Sequence, residues 1–181
     1  MPASAAWLRV AVLALLAGHL AYSVWPSLGR IRNDFPSYYV SARVAGEERP
    51  LDRAYGRAFW EEESARAGLP TVGTFVPHPP PNALLLLPIA AGLDPVAAKT
   101  VWSCVLALLL LASFFELRHV VRPQAWPWLV GLALLTQTAS LRNALLYGQP
   151  YPLLLLLLCS SLVALVRGKS LESGLLLAPV V

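Results

Sequence analysis

The sequence predicts an all-α, multi-pass membrane protein, and three observations carry that reading. The 181 residues are 57% hydrophobic and only 13% charged, with a mean hydropathy of +0.60, whereas a soluble domain is about a quarter charged. The apolar residues stand in long uninterrupted blocks, the pattern of segments that cross lipid. The net charge of +4 and the pI of about 9.4 come from basic residues at the ends of those blocks, where cytoplasmic loops carry them. No Lys/Arg run interleaved with aromatics is present, so nucleic acid is excluded as a partner. Cys104 and Cys159 each sit inside an apolar run. They have no metal-ligand spacing and read as small hydrophobes; no metal site is expected.

The first block, residues 7–25, is bounded by Trp7 and Trp25. Eighteen helical steps cover roughly 27 Å, close to a hydrocarbon core of about 30 Å with an aromatic at each interface. A cleaved signal peptide is the other reading, with Arg9 as its basic end, but the cleavage site is poor. Residues 26–81 are polar and hold seven Arg against seven acidic residues. Within them "PLDRAYGRAFWEEESARAGLP" predicts a short amphipathic helix, and "TVGTFVPHPPP" an extended, proline-stiffened stretch. Residues 82–93, "NALLLLPIAAGL", are too few to span. Residues 95–117 suffice, residues 125–141 and 147–166 are short but usable, and an incomplete run starts at residue 171 and reaches Val181. The expectation is a single membrane domain over 1–181, with a loop over 26–94 that includes an interfacial helix at 82–93.

Charge sets the orientation. Arg118 and Arg122 follow one span, and Arg167 and Lys169 follow another. If 82–93 does not cross, the N-terminus and both basic links face the cytoplasm, as the positive-inside rule requires. The 26–94 loop is then extracytoplasmic.

That loop opens with "NDFPSYYVSARVAG", residues 33–46. Pro36 suits a first helical turn, and the i, i+4 pairs Asp34/Tyr38 and Phe35/Tyr39 each share a face. Asn33 or Asp34 can serve as an N-cap. A carboxylate at a helix N-terminus is also stabilised as the anion, the form a general base needs. Phe35, Tyr38 and Tyr39 are expected to anchor the helix at the membrane interface. Arg142 can meet a phosphate bidentately or snorkel at an interface. Gln149, held extended by Pro150, can bond a sugar hydroxyl or a helix end. His78 can donate to phosphate or stand inert at the surface. His19, inside the first span, can be simply packed.

In order and spacing, "NDFPSYYVSARVAGEERPLDRAYG", "FVPHPPPNALLLLPIAAGL" and "YGQPYPLLLLLL" resemble the bacterial glycosyltransferase family 87, multi-spanning enzymes of GT-C architecture. The resemblance covers residues 30–175. It implies a GT-C-like N-terminal helical module with a long extracytoplasmic first loop, in the bacterial inner membrane. It further implies transfer of a sugar, often mannose, from a polyprenyl-phosphate donor to an extracytoplasmic glycolipid or glycan. Asp34 stands where the family has its catalytic base. Tyr38, Tyr39, His78, Arg142 and Gln149 are the candidate substrate-binding residues. The lipid-linked sugar is a co-substrate, and no separate cofactor is expected. One carboxylate fits that chemistry. A glycosidase needs two because its leaving alcohol must be protonated, whereas a polyprenyl phosphate leaves as a stable anion.

Two departures from the family pattern stand out. Family members run on through a Lys-and-Pro motif into further spans, whereas here the run reads "LESGLLLAPVV". The expectation is an N-terminal fragment, a split gene or a truncated product, one that is poorly stable or needs a chain supplying the missing C-terminal helices. The family also often has Asn shortly after Gly-Gln, where this chain has Pro150 and Tyr151. The competing expectation is a non-catalytic small membrane subunit or scaffold. Such a protein needs neither Asp34 with its aromatic ladder nor the proline-rich return to the bilayer.

Overall fold

The computed structural model describes residues 3–32, 34–47, 52–53, 56–69, 82–121 and 139–178. Every regular element among them is helical. The helices are α1 (Ala3–Val24), α2 (Asp34–Gly46), α3 (Arg57–Arg66), α4 (Asn82–Ala90), α5 (Pro95–Leu117), α6 (Ala139–Tyr147), α7 (Tyr151–Val166) and α8 (Ser170–Leu177). Two segments, Ala6–Ser27 and Pro95–Leu117, are long and apolar enough to cross a membrane. Helices α6 and α7, bent by 120° at a short break, make a third if they are taken as one broken span. Among the described residues the protein is all-helical, with membrane-type helices.

The described residues fall into two compact units. One contains α1, the part of α5 from Val105 onward, α6 up to Leu145, α7 and α8. Its core is built on Leu110 and Phe114, against which Val12, Leu20, Leu111 and Leu141 pack. Most of the described side chains of α1 are exposed, among them Trp7 at 75%, and so is Trp25 just after it at 78%. Apolar side chains on the outside suit lipid, and Trp at each end suits the two interfaces. Helix α8 folds back on α7 through a turn at Gly168, whose φ is 77°. Ser161 Oγ donates to the Ser173 carbonyl at 2.9 Å, and the two hydroxyls lie 2.9 Å apart. Polar pairs of this kind hold helices together where apolar packing has no water to escape from.

The other unit contains α2, α3, α4, α5 up to Cys104 and residues 146–149. Its central element is α2, in which Phe35 to Ala42 and Val44 are all buried. Helix α4 packs along it with Ala83, Leu86 and Ala90 turned inward, the i, i+3, i+7 stripe of one helix face. The approach is close at Gly46, where an added Cβ would come 2.9 Å from Leu87 Cδ1. Helix α3 buries Trp60, Glu63 and Ser64. Its outer face carries the exposed pairs Arg57–Glu61 and Arg66–Glu62. Such i, i+4 pairs add only about 0.3–0.5 kcal/mol each. Helix α5 starts cleanly because Asp94 Oδ1 accepts from the amides of Val96 at 2.9 Å and Ala97 at 3.1 Å, with Pro95 at the first helical position.

Two sequence expectations change, and two others fall outside the described residues. The span expected at 147–166 begins at Tyr151, and residues 142–146 are not a link but part of α6. The chain breaks at 148–150 instead, because Gly148 takes a φ of 74° and Pro150 has no amide to continue a helix. Most of the 125–141 span lies outside the described residues, as does His78. Finally, Phe35, Tyr38 and Tyr39 are not interface anchors. They are 0%, 4% and 0% exposed, because α4 packs along α2, α3 touches it, and Lys99 of α5 lies over the Phe35 ring.

Candidate active site

The site is built where the first turn of α2 meets the turn after α6, within one compact unit. Asp34 is the first residue of α2. Its Oδ2 accepts a 2.6 Å hydrogen bond from Gln149 Nε2. The pair is part-buried, and charge-assisted bonds to a carboxylate are the strong ones. The carboxylate is thus oriented through Oδ2 by a side chain from a distant part of the chain.

The position of Gln149 follows from Gly148. The positive φ there turns the backbone sharply out of α6, and an added Cβ would meet Phe35 at 3.1 Å and Lys99 Nζ at 3.3 Å. Only glycine fits both the conformation and the space. The Gly148 carbonyl accepts from the buried indole N–H of Trp102 at 2.8 Å. That bond fixes the peptide from which the Gln149 side chain departs.

Beneath the pair lies a buried layer. The ammonium of Lys99 sits 5.4 Å from the centre of the Phe35 ring, a cation–π distance. Phe35 in turn packs against Tyr39, with ring centroids 5.9 Å apart. Tyr39 donates its hydroxyl to the Leu93 carbonyl at 2.7 Å, which ties the middle of α2 to the turn before α5. Tyr38, one of the candidate substrate residues, is buried on the same helix.

Arg142 is elsewhere. It belongs to the other unit, is exposed, and lies over the Tyr22 ring at 5.4 Å. His19 is in that unit too, and its Nε2 is enclosed without a hydrogen bond among the described residues. The structure thus brings together Asp34 and Gln149, with Tyr38 and Tyr39 on the same helix as Asp34. Among the described residues no group of three or more His, Cys, Asp or Glu could hold a metal ion.

Sequence reasoning missed Lys99. The signal was present, since Lys99 and Glu116 are the only charged residues in the apolar stretch 95–117. An ionisable residue in such a stretch deserves a functional hypothesis by default. Trp102 and Gly148 were also missed, because nothing local marks a 46-residue contact.

The sequence profile of glycosyltransferase family 87 matches residues 75–179, more than half of the chain. Lys99, Trp102, Arg142, Gly148 and Gln149 lie inside the matched stretch, and Asp34 lies before it. No curated protein and no solved structure matches the chain. On the strength of that profile, the chain belongs to glycosyltransferase family 87, and its chemistry is glycosyl transfer.

Proposed function

We propose that the protein takes part in moving a hexose, with mannose the expected sugar, from a polyprenyl-phosphate donor to an extracytoplasmic glycolipid or glycan. Asp34 is the general base. The observation that carries this reading is the hydrogen bond from Gln149 to Asp34, which joins the carboxylate to the part of the chain matched by the family. A helix cap has no need of a side-chain amide brought from 115 residues away. A base does need to be aimed, because positioning is worth most when the leaving group is already good.

The step balances with one carboxylate. The acceptor hydroxyl oxygen bonds to the anomeric carbon of the donor sugar. The bond from that carbon to the phosphate oxygen breaks, and its electron pair leaves with the polyprenyl phosphate. The hydroxyl proton passes to Asp34. The donor is a co-substrate, and the step calls on no cofactor. Tyr39 and Tyr38 hold α2 in place, and His78 and Arg142 remain proposed contacts for the donor or the bilayer surface.

The proposed setting is a bacterial inner membrane. The N-terminus is cytoplasmic, α1 runs outward, and the unit built on α2 faces the extracytoplasmic side at headgroup depth. The GT-C-like module and the partner chain supplying later helices belong to the same reading. A purely scaffolding role is less well supported, since the family match and the Asp34–Gln149 pair both point to an enzyme lineage.

Asp34→Asn tests it. Transfer from a polyprenyl-phosphate sugar should fall by roughly two to four orders of magnitude, the usual worth of a general base, with membrane insertion and donor binding kept. Asn caps a helix as well as Asp, so transfer at the wild-type rate would leave Asp34 as a cap.

A further inference from the structure

Helices α2 and α3 touch within one compact unit, and between them lies a cleft of about 160 Å³. Among the described residues it is lined by Val40, Arg43 and Glu47 from α2 and its end, and by Glu63, Arg66 and Ala67 from α3 and its C-cap. The spacing accounts for the lining. Residues 40, 43 and 47 stand at i, i+3 and i+7, and residues 63, 66 and 67 at i, i+3 and i+4, so each set shares one helix face. The Glu47 amide donates to the Arg43 carbonyl at 3.0 Å, which carries that face one residue past α2.

Glu63 is 4% exposed, whereas the side chains of Arg43, Glu47 and Arg66 are about half exposed. The cleft therefore runs from an open, charged mouth to a buried carboxylate. Its charges are paired, with Arg43 Nη2 standing 3.3 Å from Glu47 Oε1 and Arg66 Nη1 3.4 Å from Glu63 Oε1. Two cations and two anions leave the lining without net charge, and Val40 and Ala67 add an apolar patch. Guanidinium groups only donate hydrogen bonds and carboxylates only accept them. An anion would meet Glu47 and Glu63, and a cation would meet Arg43 and Arg66. A hydroxyl both donates and accepts, so a neutral polyol can bond to both kinds of group and leave the pairs in place. The C–H face of a sugar ring suits the apolar patch. A cavity of about 150 Å³ holds a benzene ring, so this one is sized for a single six-membered ring, with its hydroxyls reaching the mouth.

We propose that the α2–α3 cleft binds one neutral hexose ring of a glycan, at a site separate from Asp34. Arg43 follows Asp34 by nine residues, roughly 13 Å along α2 and about two and a half turns round it. The two residues thus stand on opposite faces of the helix. The ring held in the cleft is not the one that reacts. It anchors a longer glycan by a remote sugar, a use that rests on the proposed transfer to a glycan acceptor.

The experiment uses the full chain in lipid nanodiscs, neutral mannotriose as the probe and inorganic phosphate as a competitor, with saturation-transfer NMR giving the Kd. The wild type should bind mannotriose, and phosphate should not displace it. Arg43→Ala removes an exposed pair that matters little to stability, and it should weaken binding about tenfold, the worth of a hydrogen bond to a charged group. Ala67→Leu puts a larger side chain into the cleft and should abolish binding, and it decides the matter if Arg43→Ala does not fold. Arg57→Ala removes a similar pair, with Glu61, on the outer face of α3, and should bind as the wild type does. No binding by the wild type, or wild-type affinity in either folded cleft variant, overturns the proposal. So does displacement by phosphate, or an equal loss in Arg57→Ala. The general base is judged by the transfer assay of Asp34→Asn and the cleft by this binding, so either reading can fail while the other stands.

Discussion

Gln149 and Asp34 are 115 residues apart in sequence and 2.6 Å apart in the fold, the amide donating to the carboxylate. The bond joins the entrance of α2 to the exit of α6. It makes the orientation of a candidate base depend on a turn formed much later in the chain.

If that orientation matters, Gln149→Ala should slow transfer by about tenfold, since misplacing a catalytic group by a fraction of an ångström to an ångström is costly. The loss should fall on kcat more than on KM. Gln149→Glu should be worse, because it sets two carboxylates against each other. Steady-state kinetics with a polyprenyl-phosphate sugar provides the measurement, and a KM effect alone would make Gln149 a substrate contact.

Gly148→Ala should destabilise the unit built on α2. Its φ of 74° disfavours a side chain, and the new methyl would press on Phe35 and Lys99 at 3.1–3.3 Å. A cost of about 1–3 kcal/mol is expected from strain of this kind. A lowered Tm with reduced transfer should result, whereas Gly174→Ala, where nothing lies within 4 Å, should be nearly silent.

Ser161→Ala should loosen the α7–α8 hairpin by about 1 kcal/mol, the net worth of one such hydrogen bond. Faster hydrogen exchange confined to residues 170–177 is the expected signature. Protection unchanged in α8 would show that apolar packing alone holds it.

Topology has a direct test. With Cys104 and Cys159 replaced by Ala, a single cysteine at Val120 should react with a membrane-impermeant thiol reagent only after the cytoplasmic side is opened. Labelling from outside would reverse the orientation, since Arg118 and Arg122 would then lie on the wrong side for the positive-inside rule.

The helical class was legible in the chain itself, because lipid demands long apolar blocks and leaves little choice of structure within them. The same rule made α1 and α5 readable to within a few residues. Helix α2 was readable from Asp34 and Pro36 at its start, and α4 from a run too short to cross. The break after α6 was not. Gly148 and Pro150 stand in plain view, but whether a Gly-Gln-Pro ends a span or bends one depends on what the freed backbone meets. Here it meets the Trp102 indole. The aromatic residues of α2 were misplaced for a related reason. Aromatic side chains suit an interface and a core equally, and only the neighbours, chiefly α4, made it a core. Asp34 could be singled out from residue type and position. Its partner Gln149, the Trp102–Gly148 clamp and the buried charge of Lys99 are long-range relationships. They follow from which helix faces are brought together, and that is decided by packing, which no local pattern encodes.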